Sequence, residues 1–221
     1  HVEVAAKLAG VSYETMTRRV DEGDKEAKAL RQFAKVANYG FPGGLSSNSF
    51  SSYAQSFGLD VSPNEAAEIR KAWLEAWPEM REYFNRIGQA TRSGSSITII
   101  QPVSERQRGG CTFTSAANSY FQGLVSDMSK SALVETCRRC FVDPSSALYG
   151  SRPVAFLHDE IIIESPEAVA PEAAAELAAV MIGAGVRYLP DVPVSASPVL
   201  AARWSKDAQA VYQGGRLAVW R

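Results

Sequence analysis

The hydrophobic pattern of this chain changes near residue 90, and that change constrains the fold more than any other feature of the sequence. Through the first ninety residues apolar side chains recur every three or four positions, which predicts amphipathic helices. Beyond them lie short apolar runs at 97–100, 154–157 and 161–163, which predict strands. A helical block followed by a small, mostly antiparallel sheet with helices packed on it is an α+β architecture.

Capping residues and helix breakers place several element boundaries. The segment 62–65 is a capping box with proline at the first helical position, and Pro78 is expected to kink or divide the helix that follows. An earlier helix is expected to end near Gly40, in the breaker series 40–44. Segment 104–110 is predicted to be a polar, basic loop. Further helices are predicted at 115–140 and 171–182, and a further strand is predicted at 192–196.

Composition excludes several classes of protein. Of 221 residues, 46% are hydrophobic and 21% charged, which excludes a disordered chain. The 23 basic residues are balanced by 24 acidic ones, so any anion-binding surface must be local. Cys137 and Cys140 form a lone C-x-x-C pair that lacks the second pair a zinc site needs, and three sparse cysteines suit a reducing cytoplasm. The apolar stretch 168–186 contains Pro171 and two glutamates, so no membrane span is predicted.

The first candidate site lies on the helix that ends near Gly40. Arg31, Lys35 and Tyr39 are spaced by four, so they share one helix face over about 12 Å of rise. Two cations followed by a phenol suit a nucleoside triphosphate, because the cations bind phosphates and the ring packs against sugar and base. A solvated basic face ending in a tyrosine is the alternative that spacing alone leaves open.

The second candidate site is His158-Asp159-Glu160, between two strand-like runs that predict a hairpin. Adjacent carboxylates are more stable beside a cation, and phosphoryl transfer by two metal ions needs such a carboxylate on a rigid strand edge. An ordinary polar turn is the alternative. A serine hydrolase is not favoured, because no G-x-S-x-G elbow is present, and neither phosphate-binding glycine motif occurs.

Together these segments resemble the family A DNA polymerases. Segment 31–44, beginning R-x-x-x-K-x-x-x-Y-G, is similar to that family's motif B on the fingers helix, and Leu157-His158-Asp159-Glu160 is similar to its motif C in the palm. Asn118 to Gly123 is similar to the family's N-x-x-x-Q-G helix, and Trp77-Pro78 matches its aromatic-proline step. The motifs follow in the family's order. Residues 201–207 are similar to the ending of bacteriophage members of the family.

The resemblance implies template-directed addition of deoxynucleotides to a primer 3′ end. Residues 1–90 would be mainly fingers helices, and 91–221 the C-terminal part of an antiparallel palm sheet with packed helices. The expected partners are dNTPs and primer–template DNA, with no membrane. The implied location is the cytoplasm, that of a bacterial host if the chain is encoded by a phage.

The resemblance also implies a role for each matching residue. Arg31 and Lys35 would bind the triphosphate, with Lys35 also taking part in catalysis, and Tyr39 would pack on the incoming sugar and base. Asn118 and Gln122 would contact the primer–template in the minor groove.

The motif C residues would serve the metal and the primer end. Asp159 would bind catalytic Mg²⁺, Glu160 would support the metal site or the primer end, and His158 would contact the primer end. Two Mg²⁺ ions are implied. Arg106 and Arg108 are either phosphate contacts or part of a solvated loop.

The sequence departs from the family pattern at three places. Gly43 stands where motif B usually has a second tyrosine, and Thr114 where an arginine often precedes the Asn118 position. Motif A, which carries the first catalytic aspartate, has no counterpart from His1 onward. We therefore expect an upstream segment to supply that acid and the second Mg²⁺ site, and the isolated chain to be inactive.

Two other readings of the same motifs are kept open. A primer–template binding module without catalysis would retain the duplex contacts and lack motif A. A single-subunit RNA polymerase shares the Arg/Lys pattern, but that family typically has Met at the position of Tyr39 and Ser at that of Glu160. Tyr39 and Glu160 therefore argue against it.

Overall fold

The computed structural model describes residues 1–221, apart from the side chain of Ser93. Its α-helices are α1 Val2–Ala9, α2 Tyr13–Asp21, α3 Lys25–Gly40, α4 Ser47–Gln55, α5 Pro63–Ala76, α6 Glu79–Ala90, α7 Phe113–Phe141 and α8 Ala170–Tyr188. Its strands are β1 Ile97–Ile100, β2 Gln107–Cys111, β3 Arg152–Leu157, β4 Glu160–Glu164, β5 Leu200–Ala201, β6 Val211–Gln213 and β7 Arg216–Trp220. The α+β class predicted from the sequence is confirmed.

The chain divides into two compact units, residues 1–122 and 123–221, with the boundary inside α7. This division reflects which residues pack together compactly. The predicted division at residue 90 between fingers and palm is a functional one, and it stays a prediction.

Aromatic side chains form the centre of the first unit. Phe41 stacks on Phe50 with ring centroids 4.4 Å apart and lies 5.7 Å from the ring of Trp73. All three rings are almost fully buried, together with Met16 and Val36. Burial of each such side chain stabilises the fold by about 1.5–3 kcal/mol, so this cluster fixes how α3, α4 and α5 pack.

The predicted boundaries at Gly40, Ser62 and Pro78 are confirmed, and α3 ends at Gly40 as expected. Asp24 caps α3 by accepting hydrogen bonds from the backbone N–H groups of Glu26 and Ala27. The capping box at Ser62 begins α5, and Pro78 separates α5 from α6.

The β1–β2 hairpin is a correction to the sequence analysis. Segment 104–110 was expected to be a loop, but Gln107–Cys111 pairs antiparallel with β1. Ile99 of β1 is fully buried against α7 with Cys111, Ala116 and Ala117. Because one face of β1 is buried in this way, its edge is held where a polar, glycine-containing segment can pair with it.

The second unit contains the β3–β4 hairpin, α8 and a C-terminal sheet. The hairpin is confirmed, and α8 runs past its predicted end at residue 182. The strand predicted at 192–196 is wrong: this segment packs on α8, with the Val194 side chain directly over Gly185. The expected single sheet is replaced by separate small ones, and the sheet in the order β5-β7-β6 was not predicted.

Helix α8 is apolar, yet it carries polar contacts. In the part of the chain that the structure describes, Glu167–Tyr188 is the one helical stretch long and apolar enough to cross a membrane, with a mean hydropathy of 1.4. Its Glu176 pairs with Arg139 of α7 at 2.6 Å and accepts hydrogen bonds from the Ser146 hydroxyl and the Ala147 backbone N–H. These bonds favour a helix packed within its unit.

Candidate functional site

The predicted basic and aromatic face of α3 is present. Arg31 and Tyr39 are exposed and Lys35 is half-buried, while Val36 and Ala37 face the core. Lys35 Nζ lies 5.9 Å from the centroid of the Tyr39 ring, within range of a cation–π interaction. The spacing of four therefore brings the ammonium group and the phenol together at the surface.

A polar chain from the core reaches the residue before Tyr39. Trp73 Nε1 donates a hydrogen bond to Asn38 Oδ1 at 2.8 Å, and Asn38 Nδ2 lies 2.9 Å from His1 Nδ1. The His1 ring in turn lies 6.0 Å from the Tyr39 ring. The sequence analysis did not include Asn38 or Trp73 in the site. The signal that could have found them is the need of a buried indole N–H for an acceptor.

The C-terminal end of α3 is closely packed by α4. A Cβ atom on Gly40 would lie 3.0 Å from Leu45 Cδ1 and 3.1 Å from the Tyr53 ring, so a glycine suits this position. Burial raises the pKa of Tyr53, and the neighbouring Tyr39 raises it further. Tyr53 therefore packs against the end of α3, a contact that the sequence did not predict.

The turn after α3 meets α7 at Asn118. Gly43 is buried, and a Cβ atom there would lie 3.6 Å from Cβ and Oδ1 of Asn118. Asn118 and Gln122 are both exposed, one helical turn apart. The structure thus brings the end of the motif B segment against the first residue of the N-x-x-x-Q-G segment. The contact with Asn118 is made at Gly43, the position where motif B usually has a second tyrosine.

Tyr83 holds α7 in this position. Its hydroxyl donates a hydrogen bond to the Ala117 carbonyl at 2.7 Å, and its ring lies 6.3 Å from Tyr120 and 5.2 Å from Phe121. Burial, and then the nearby Tyr120, raise the pKa of Tyr83, so this hydroxyl stays protonated as a donor. The hydrogen bond fixes α7 one residue before Asn118.

The second candidate site is the tip of the β3–β4 hairpin. Leu157 pairs with Glu160, so the turn consists of His158 and Asp159. Strand β4 begins at Glu160, one residue earlier than predicted. His158 has a φ of 56°, a positive value of the kind that two-residue hairpin turns use. The register shifts between Pro153 and Ala155, where a bulge accommodates a proline that lacks a backbone donor.

The hairpin tip can supply carboxylate ligands to a cation. Asp159 and Glu160 are adjacent and exposed, and Ile161 next to them is buried, which anchors the strand. Mg²⁺ is commonly bound through one or two carboxylates together with substrate phosphates, so these residues fit it. Among the residues that the structure describes, no cluster of three or more His, Cys, Asp or Glu side chains could hold a metal ion.

The site residues fall into two groups, one in each unit. Arg31, Lys35 and Tyr39 lie in the first unit, as does the Asn118–Gln122 segment, while the hairpin residues 158–160 lie in the second. The first group can bind an anion beside an aromatic ring. The second can bind a cation.

The fold is that of part of a polymerase domain. It is similar to the POL domain of Pol1 from M. smegmatis, solved in complex with DNA primer-template and dNTP, with a TM-score of 0.58 at 20% identity. The match covers 83% of this chain and 31% of that one.

Residues 1–206 match the family model described as DNA polymerase family A, so the chain belongs to that family. It is 28% identical over 197 residues to DNA polymerase I of Aquifex aeolicus, covering 86% of this chain and 33% of that protein. It is 26% identical over 209 residues to DNA polymerase I of Helicobacter pylori strain 26695, covering 91% of this chain and 22% of that protein. The chain therefore spans a third or less of the length of these relatives.

Proposed function

We propose that this protein takes part in template-directed DNA synthesis, adding deoxynucleotides to a primer 3′ end. The observation that carries the proposal is the exposed face of Arg31, Lys35 and Tyr39, on a helix whose following turn packs against Asn118. Family membership supports it, as does the neighbouring structure, which is described as a complex with DNA primer-template and dNTP.

The α3 face is the proposed dNTP site. Arg31 and Lys35 bind the triphosphate through charge-assisted hydrogen bonds, and Tyr39 packs on the sugar and base. Lys35 is half-buried, and its ammonium nitrogen lies over the Tyr39 ring, 5.9 Å from the ring centroid. Lys35 also takes part in catalysis, since a cation held against the reacting phosphate stabilises charge that develops in the transition state.

The exposed amides of α7 are the proposed duplex contacts. Asn118 and Gln122 project one turn apart, and amide groups both donate and accept hydrogen bonds at base edges in the minor groove. Asn118 lies against the turn after α3, at the position where Gly43 carries no side chain.

The hairpin tip is the proposed metal site. Asp159 holds catalytic Mg²⁺, Glu160 supports the metal site or the primer end, and His158 contacts the primer end. Mg²⁺, when bound, neutralises charge on the reacting phosphate. Asp159 lies in the two-residue turn that closes the paired β3–β4 hairpin.

We also propose that residues 1–221 depend on an upstream segment that carries motif A and holds the second Mg²⁺. Two-metal transfer needs carboxylates from more than one direction, and the predicted ligands here share one hairpin tip. The proposed setting is the cytoplasm of a bacterial cell, with the chain encoded by the cell or by a phage.

A primer–template binding module is the second candidate function. It is favoured by the observation that Asp159 and Glu160 have no third potential metal ligand clustered with them among the described residues. Mg²⁺-dependent primer extension with the upstream segment present separates the two functions, because a binding module would hold the duplex and extend nothing.

Lys35→Ala tests the nucleotide site. Binding of dNTP in the presence of primer–template is expected to weaken at least tenfold, while duplex binding without dNTP stays as in the wild type. Lys71→Ala, which removes an exposed charge from α5, is the matched control and should change neither. Unchanged dNTP affinity in Lys35→Ala would remove the α3 face from the proposal.

A further inference from the structure

Strand β2 and the residue that follows β1 are both hydrogen-bonded to a single residue of α7, Ser119. Gln101, just after β1, donates a hydrogen bond from Nε2 to the Ser119 carbonyl at 2.8 Å. Arg108 of β2 donates from its guanidinium to Ser119 Oγ at 2.7 Å. Gln101 and Ser119 are buried, whereas Arg108 is exposed. The hairpin is therefore fixed to α7 from both sides of Ser119, with a cation at the surface.

The direction of the Arg108 side chain follows from the strand register. Arg108 is paired with Ile99, and paired residues on antiparallel strands project from the same face. Ile99 is fully buried in the cluster that includes Ala116 and Ala117 of α7. Arg108 thus lies on the face of the hairpin that is packed on α7.

The Ser119 hydroxyl is arranged to accept from Arg108. Its proton is donated to the Ser115 carbonyl at 2.5 Å, which leaves the oxygen lone pairs for the guanidinium. This contact with a neutral hydroxyl orients the guanidinium without neutralising its charge, and an arginine carries five N–H donors. A charged group with remaining donors is therefore held in place at the surface.

Ser119 lies between the two proposed duplex contacts. Asn118 immediately precedes it in the chain, and Gln122, three residues later, is its neighbour on the helix surface. The guanidinium bonded to Ser119 is therefore attached to the segment of α7 that carries both amides.

We propose that Arg108 binds a backbone phosphate of the primer–template duplex, next to the groove contacts of Asn118 and Gln122, and that Ser119 is its positioning residue. This inference rests on the proposed function. It explains why an arginine in a glycine-containing strand is bonded to a helix hydroxyl. It also makes the β1–β2 hairpin part of the nucleic-acid surface.

Salt dependence of duplex binding tests the inference. Each phosphate that a protein neutralises contributes about 0.9 to the slope of log K against log salt. For Arg108→Ala we expect the slope to fall by about 1 and affinity to fall about tenfold at 0.1 M salt, in fluorescence anisotropy with a labelled primer–template. Arg108→Lys, which keeps the charge, should keep the slope.

Two further variants make the test specific. Ser119→Ala should weaken binding severalfold with the slope unchanged, because the charge remains while its position is lost. Arg86→Ala removes a cation that is paired with Glu82 on the surface of α6, and it should leave slope and affinity unchanged. It matches Arg108→Ala in net charge.

The outcomes separate this inference from the proposed function. If the wild-type protein binds the duplex and Arg108→Ala has the wild-type slope, the phosphate contact is overturned and the proposed function stands. If Ser119→Ala binds as the wild type does, the positioning role is overturned. If the wild-type protein binds no duplex, both the inference and the proposed function fail.

Discussion

Gly44 lies directly against the ring of Phe113, which is the first residue of α7. A Cβ atom on Gly44 would come within 2.7 Å of Phe113 Cε1, and the residue has a φ of 78°, in the left-handed region. Two independent constraints therefore require glycine at the end of the motif B segment. The contact joins this segment to the helix that carries Asn118 and Gln122.

Gly44→Ala is expected to destabilise the protein by about 1–3 kcal/mol in urea unfolding, through backbone strain and overlap with the Phe113 ring. Gly58→Ala separates the two causes, because Gly58 has a similar φ of 76° with no atom within 4 Å of the added Cβ. Gly58→Ala should lower the free energy of unfolding by less than Gly44→Ala does. Equal losses would show that the Phe113 contact contributes nothing.

Asp159→Ala is expected to reduce nucleotide addition by orders of magnitude in protein reconstituted with the upstream segment, while duplex binding persists. Positioning of the metal stabilises the transition state by several kcal/mol, and Asp159 is the proposed ligand. Asp191→Ala is the control, since it removes an exposed carboxylate from the same unit that is not part of the hairpin. Near-normal rates in Asp159→Ala would contradict the motif C assignment.

Tyr39→Phe is expected to raise discrimination against dideoxynucleotides with little loss on normal substrates. The Tyr39 hydroxyl can replace a polar contact that the sugar 3′-OH otherwise makes, and phenylalanine cannot. The measurement is the ratio of incorporation rates for dNTP and ddNTP. Tyr13→Phe is the matched control, because both tyrosines are 51% exposed. A ratio that does not move in Tyr39→Phe would contradict the assigned register of motif B.

The acid stability of the second unit is expected to depend on Glu135. Hydrogen bonds from Arg138, and then from Arg139, lower the pKa of Glu135 to about 2. A carboxyl with a lowered folded-state pKa stabilises the fold above its unfolded value, about 4.3, and this contribution is lost as pH falls toward 2. The side chain is 36% exposed, so solvent screening keeps the effect modest.

The measurement is urea unfolding of wild type and Glu135→Gln at intervals from pH 5 to pH 2. The difference in the free energy of unfolding between the two proteins should shrink as the pH falls. Glu167→Gln, which removes an exposed carboxylate from the same unit, should track the wild type. A wild-type–Glu135→Gln difference that stays constant over this range would refute the linkage.

Local features of the sequence were enough to predict much of the site. The face of Arg31, Lys35 and Tyr39 follows from helical spacing, and the β3–β4 hairpin follows from two apolar runs around a polar turn. Both depend on residues close together in the chain, where periodicity and turn chemistry decide the structure.

Contacts between distant residues were not predictable in this way. The bond between Asn38 and Trp73 joins residues 35 positions apart, and the Arg108–Ser119 bond depends on the register of a polar strand. Val194 packs on Gly185 of α8 and is not part of a strand. In each case tertiary packing outweighs the local preference of the segment.

Primer extension tests the central claim most directly. Residues 1–221 would be assayed with Mg²⁺, primer–template and all four dNTPs, alone and together with a polypeptide that carries motif A of a family A polymerase. We predict template-dependent extension in the mixture and none by the chain alone. Extension by neither would contradict the proposed polymerase function, and robust extension by residues 1–221 alone would contradict their dependence on a second segment.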